Sequence, residues 1–227
     1  MKKSFAGKLG LILFAVMLGG MASQPSAPLE GSGFLRDYSD LAETKDARGN
    51  TIWAWASPKL KPANYNAILL DPLVFYPEPR PSEQVSAETL KQILAYSNDS
   101  LKRSFSQRFR VVDRAGPGVL RIRAAFSSVA ARGQGLKPYQ VVPMAFVATM
   151  ALRTATGKPE RAFIVVEVEG TDSTTGELLG QRVRVGIAER LARVASQQVI
   201  TLDTLKPLLD ELSAGAFPEL ANYVKLK

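Results

Sequence analysis

The period at which apolar side chains recur changes several times along this 227-residue chain, and each change marks an element. The first apolar block, Leu9 to Leu18 (LGLILFAVML), has no polar interruption. It follows Lys2, Lys3 and Lys8 and leaves through Gly19 and Gly20. A basic start, a short apolar run and a small-residue exit predict an export signal cleaved after Ala22. The block falls short of the about 20 apolar residues that a membrane-spanning helix needs. Gln24 to Gly33 (QPSAPLEGSG) has little to bury and reads as a flexible tether. The expected organisation is a signal peptide at 1–22, a tether at 23–33 and a single folded domain at 34–227.

Within that domain, Phe34, Leu35, Tyr38 and Leu41 recur at spacings of three and four, which predicts a docked turn or short helix. In TIWAWAS, Thr51 to Ser57, large and small residues alternate, as in a strand with Trp53 and Trp55 on one face. NAILLDPLVFY, Asn66 to Tyr76, reads as a strand bent, bulged or placed at an edge by Pro72. From Ser86, a good N-cap, the residues Leu90, Ile93, Leu94, Ser97, Leu101, Phe105 and Phe109 mark one face of an amphipathic helix of about six turns. Lys91, Asn98, Lys102, Arg103 and Arg108 mark the other. After an AGPG turn, Leu120, Ile122 and Ala124 alternate with Arg121, Arg123 and Ala125, so the two arginines point away from an apolar face.

The run Val141 to Leu152 is apolar throughout and predicts a buried helix or docked segment. Ala162 to Ala188 predicts a hairpin around DSTTGE, with Gly176 taking a positive φ. Glu167 and Glu169 alternate with valines on one arm, Arg182 and Arg184 on the other, so the four are expected to face one another on a solvated side of the sheet. A last helix lies within Asp203 to Ala221, with Leu205, Leu208, Leu209 and Leu212 inward. Paired strands around one long helix predict an α+β fold, a mainly antiparallel sheet with helices packed on one face.

Composition then removes whole classes of chemistry. There is no cysteine and no histidine. Disulfides, Ser-His-Asp or Cys-His nucleophiles and zinc sites built from those ligands are all excluded. No cofactor and no metal site is expected. The formal charge of +8 falls to +5 once the three leader lysines are removed. That mild excess suits an anionic membrane surface or wall polymer, while dispersed basic residues and export argue against nucleic acid.

The candidate binding residues are Arg36, Asp37, Tyr38, Arg121 and Arg123. Asp37 and Tyr38 are expected chiefly to cap a turn. No phosphate loop, nucleophile elbow or calcium loop is present, and no catalytic set is assigned. An alternative, a carboxylate-based hydrolase acting on envelope glycan, requires two of Asp71, Asp113, Glu167, Glu169 and Asp172 to converge about 5–9.5 Å apart in a cleft.

SGFLRDYSDL (Ser32 to Leu41), YNAILLDPLVFY (Tyr65 to Tyr76), RFRVVDRAGPGVLRIRAAFSSV (Arg108 to Val129) and VEVEGTDSTTGELLGQRV (Val166 to Val183) follow one another in an order and spacing that resembles the bacterial lipoproteins of domain of unknown function 3313. The resemblance covers most of the expected domain. It implies a Gram-negative envelope protein, often lipid-anchored, and carries no activity. Where that family's leader places a cysteine for acylation, this chain has Met21, whose thioether has no thiol to acylate. The expectation is therefore an exported, unlipidated protein of the periplasm or the periplasmic face of the envelope. It is read as a non-enzymatic binding or structural module whose partner is an envelope protein, a wall polymer or a membrane surface.

Overall fold

The computed structural model describes residues 29–61, 64–81, 85–127, 130–131, 148–150, 161–188, 201–214 and 219–227. The expected signal peptide, its cleavage site and Met21 lie outside the described residues. In chain order the strands are β1 (Leu29–Glu30), β2 (Ala42–Lys45), β3 (Thr51–Ala56), β4 (Ala67–Leu70), β5 (Val74–Phe75), β6 (Val111–Val112), β7 (Val119–Ser127), β8 (Ala130–Ala131), β9 (Ala148–Met150), β10 (Arg161–Asp172) and β11 (Leu178–Ala188). Helix α1 (Ala87–Arg108) separates β5 from β6, and α2 (Leu202–Ala214) follows β11.

The main sheet runs β2-β3-β11-β10-β7-β4-β6, with β5 also on β7 and β9 also on β10. Pairings from β2 to β7 are antiparallel. Those of β4 and β5 with β7, and of β4 with β6, are parallel, because α1 carries the chain back across the sheet between them. The fold is α+β with a mostly antiparallel sheet, as the hydrophobic pattern predicts. Pro72 does interrupt its strand: β4 ends before it and β5 begins after it, both still on β7. The gap is held by Asn98 of α1, whose side chain accepts from Leu73 N at 2.8 Å and donates to Leu73 O at 3.2 Å. Asn98, expected on the solvent side of the helix, thus ties helix to sheet.

The helix start is as expected, with Ser86 Oγ accepting from Thr89 N at 3.0 Å. Leu90, Ile93 and Phe105 of α1 and Leu205, Leu208, Leu209 and Leu212 of α2 are buried against Leu73, Ala124, Phe126, Leu120 and Ile122. Each fully buried leucine, isoleucine or phenylalanine contributes about 1.5–3 kcal/mol. Both helices pack on the face of the sheet that carries Val166 and Val168. The opposite face carries Ala125, Val165 and Val183, covered by Phe34 and Leu35 of the segment Ser32 to Leu41.

Two expectations change in detail. Described structure reaches back into the stretch read as a tether: β1 pairs with β8, and Ser32 and Gly33 bond Tyr38. Of the apolar run 141–152, only Ala148–Met150 is described. Those three residues form a strand on Arg161–Phe163, which fits a docked segment and not a helix.

The hairpin supplies a correction. Its turn forms as predicted: Asp172 Oδ1 accepts from Thr174 N and Thr175 N at 2.9 Å, and Gly176 has φ +71°. Next to the turn Thr171 opposes Leu178, but the register shifts by one between Gly170 and Thr171. Had the register run on unbroken, Glu167 would have met Arg182. Instead Leu179 is the extra residue, Glu167 opposes Val183 and Glu169 opposes Gln181. Arg182 and Arg184 therefore share the helix face with Val166 and Val168, while both glutamates share the other. The expected cross-hairpin ion pairs do not form. Nor is the glutamate face solvated, since both glutamates are 0% exposed.

Candidate functional site

On the glutamate face, Ser32 to Leu41 lies over the sheet as a strap. Tyr38 Oη donates to Glu167 Oε2 at 2.5 Å and accepts from the backbone amides of Gly33 and Leu35, each at 3.2 Å. Ser127 Oγ of β7 donates to the other oxygen of Glu167. Burial raises the pKa of the Tyr38 hydroxyl above its ordinary value, and the bond to Glu167 raises it further. The Tyr38 ring fits because residue 31 is glycine: a Cβ there would lie 2.1 Å from Tyr38 Cζ.

Two residues along β10, Glu169 Oε1 meets Arg36 Nε at 3.2 Å and Arg123 Nη1 at 3.3 Å. Arg123 also stacks over Phe34, 4.7 Å from the ring centroid, and Phe34 meets Tyr76 edge-on. Arg36 Nη1 reaches Gly176 O at 3.1 Å, tying the strap to the hairpin turn.

The candidates Arg36, Tyr38 and Arg123 are thus brought together, around two carboxylates that the sequence offered as hairpin partners and as members of a possible acid pair. The other two candidates stand apart. Asp37 is exposed and accepts from Ser39 N at 2.8 Å, a bond that lowers its pKa; it caps its own turn, as expected. Arg121 pairs with Asp71 at 2.8 Å near the sheet edge. Of the remaining acids, Asp113 is exposed, and Asp172 accepts from Tyr65 Oη at 3.1 Å as well as from its own turn. Glu167 and Glu169 sit under the strap with hydroxyl and guanidinium donors on them. These donors engage both oxygens of Glu167 and Oε1 of Glu169, while Glu169 Oε2 is buried without a partner; among the described residues the strap covers both carboxylates.

Among the described residues a concave site lies on the helix face. A cavity of about 590 Å³ lies between the sheet and the two helices. Its floor is formed by Ala42, Ala54, Ala56, Gly170 and Gly180, its walls by residues such as Leu101, Phe105, Leu120 and Leu209. The cause is visible in the strand alternation. In β3 the tryptophans take the strap face, which Trp53 packs against, leaving the small members, Ala54 and Ala56, under the helices. Across the ladder, Gly180 and Gly170 extend the same row. Too little side-chain volume rises from this floor to meet α2. The small members of TIWAWAS are the sequence signal for it, as the large ones are for the strap face.

Charge enters this cavity from Arg182 and Arg184 of β11 and from Lys45 of β2. Arg182 bonds Glu219 at 2.7 Å and Asp46 at 3.4 Å. Burial works to raise the pKa of Asp46, but bonds from Asn50 and from the Arg48 amide overcome it and leave the carboxyl below its ordinary value. Arg184, 5% exposed, donates through Nη2 to Glu211 Oε1 of α2 at 3.2 Å. Among the described residues the cavity lining holds one carboxylate, Glu219, and that one is engaged by Arg182. No group of three or more acids suited to a metal ion occurs among the described residues, and no described helix is long and apolar enough to cross a membrane.

Comparison with known proteins bears on this arrangement. Residues 30–216 match the family described as Protein of unknown function (DUF3313). The uncharacterized lipoprotein YdcL of Escherichia coli strain K12 is 33% identical over 214 residues, 94% of this chain and 95% of its own. A lipoprotein relative implies an exported, envelope location. Among solved structures, the PelC dodecamer from Paraburkholderia phytofirmans aligns with a TM-score of 0.30 at 12% identity, covering 70% of this chain and 97% of that one.

Proposed function

We propose that this chain, which belongs to the family described as Protein of unknown function (DUF3313), is a non-enzymatic binding module of the periplasm whose ligand inserts an apolar body between the sheet and the helices. The observation that carries this reading is the cavity of about 590 Å³ with its alanine, glycine, leucine and phenylalanine lining. Ligand sites are typically about 300–1,000 Å³, mostly apolar, with a few polar groups that set orientation. The partners expected from sequence are an envelope protein, a wall polymer or a membrane surface; a molecule drawn from that membrane, a narrower ligand than any of these, suits such a lining. A wall glycan, polar on all sides, does not.

The hydrolase alternative loses support from the same geometry. It needs two carboxylates facing a cleft with room for a sugar. Glu167 and Glu169, neighbours on one face of β10, are sealed beneath the strap on the side of the sheet away from the cavity.

Titration with the uncharged dye N-phenylnaphthylamine tests the reading. Saturable binding with a rise in fluorescence is expected. Ala54→Leu, which adds side chain to the cavity floor, is expected to abolish it while leaving the fold intact. A dye that does not saturate, or that binds Ala54→Leu as tightly as the parent, would show that the cavity is not a ligand site.

A further inference from the structure

The cavity wall contains a cation that the protein leaves under-bonded. A guanidinium has five N–H donors. On Arg184, Nη2 reaches Glu211, while Nε and Nη1 are buried and have no partner. Leaving a buried donor unsatisfied is costly, and more so for a charged group. Desolvation accordingly pulls the pKa of this guanidinium below the ordinary arginine value, against the raising influence of Asp46 and Glu211.

The neighbouring acids do not supply the missing bonds. Asp46 is taken up by Asn50, the Arg48 amide and Arg182. Glu219 is engaged by Arg182. Glu211 gives Arg184 one bond and is itself half exposed, with 52% of its side chain open to solvent. Arg48, the third cation nearby, bonds Ala214 O at 3.3 Å. Formal charge around the site is Lys45, Arg48, Arg182 and Arg184 against Asp46, Glu211 and Glu219, an excess of one cation, with Lys45 Nζ donating to Thr51 Oγ1. Hydrogen bonding is not balanced: the spare capacity on Arg184 is all donor. It faces an apolar cavity, so a molecule that satisfies both features needs oxygen acceptors at one end and hydrocarbon at the other. An ionised head forms bonds to a guanidinium roughly twice as strong as a neutral one.

We infer that the cavity takes a single-chain amphiphile with an anionic head, its carboxylate or phosphate oxygens on Arg184 Nε and Nη1 and its acyl chain among Leu101, Phe105, Leu120 and Leu209. This rests on the cavity being a ligand site, as proposed above. Glu211 on the solvent side of Arg184 places the head towards the mouth and the chain towards the interior.

The experiment displaces bound N-phenylnaphthylamine with laurate, dodecyl phosphate and dodecanol, three ligands with the same chain. Laurate or dodecyl phosphate is expected to displace the dye at concentrations about ten-fold or more below dodecanol. Arg184→Gln is expected to erase that preference without weakening dodecanol, and Arg184→Lys to retain part of it. Equal displacement by all three overturns the inference yet leaves the cavity a ligand site. No dye binding at all removes both readings. The matched-head comparison needs no variant, so a misfolded Arg184→Gln cannot rescue the idea. Native mass spectrometry on protein incubated with an envelope lipid extract separates the sources. A fatty-acid or a phosphate-headed single-chain adduct supports the inference and tells which, whereas an adduct of neutral lipid alone overturns it.

Discussion

The two faces of the sheet differ in how closely they are covered, although they are made by alternate residues of the same strands. Under the strap, Glu167 and Glu169 are wholly buried, and three of their four oxygens take donors from two places, the strap and β7, while Glu169 Oε2 has no partner. Under the helices, Val166 and Val168 face alanines, glycines and leucines, and a buried arginine keeps two donors unpartnered. One face is polar and filled; the other is apolar and roomy. Polarity and structural tightness have therefore separated from their usual sides. The charged face is closed by the strap, and the oily face, which also carries most of the buried apolar side chains, is the one with room for another molecule.

The first way to break this contrast is to strip Glu169 of its guanidinium partners. Removing one side of a buried ion pair leaves an uncompensated charge, at a cost of about 3–5 kcal/mol. The double variant Arg36→Met with Arg123→Met is expected to lose stability on that scale in urea unfolding. A change of less than about 1 kcal/mol, the range of surface pairs, would mean that the strap is decoration.

Tyr38→Phe should do less harm. It takes one donor from Glu167 and the acceptor from the Gly33 and Leu35 amides, which predicts a loss of about 1–3 kcal/mol in the same measurement. Ala54→Leu on the opposite face should leave the unfolding midpoint unchanged or raised, because its added methyl groups enter existing space. If it destabilises as much as Tyr38→Phe, the two faces are equally tight and the contrast fails.

The smallest effect sharpens the comparison through pH. On the helix side Tyr65 donates to half-buried Asp172; burial and then that bond push its pKa up to about 12 from 10.0. A raised folded-state pKa contributes stability that is complete below the unfolded value, near 10, and is lost as pH rises through about 12. Tyr65→Phe is expected to flatten stability against pH across that window. An unchanged slope would show that the Asp172 bond does not hold in solution.

Much of the fold is legible in the sequence because it is written locally. Ser86 caps α1, Asp172 and Gly176 make the hairpin turn, and the leucines of α2 lie on the face their spacing assigns. Three of the five candidate residues, Arg36, Tyr38 and Arg123, do converge. What eluded the sequence hangs on one inserted residue. Leu179 shifts the ladder by one, and since side chains alternate, that shift sends Arg182 and Arg184 to the helices and leaves Glu167 and Glu169 to the strap. No periodicity within either arm reveals the shift, because each arm alternates correctly on its own. The cavity was hidden for a related reason. Spacing shows which face a residue takes, not whether two elements packed on that face carry enough volume to meet.

The strap also decides how the molecule bears a load. A pull on the chain ahead of Leu29 passes into β1 and then through Ser32 and Tyr38 into β10, in the middle of the sheet. Of the bonds along that path, none belongs to α1 or α2. The leading end of the described chain is thus joined to the sheet's charged side, and the pocket beneath the helices lies on the other.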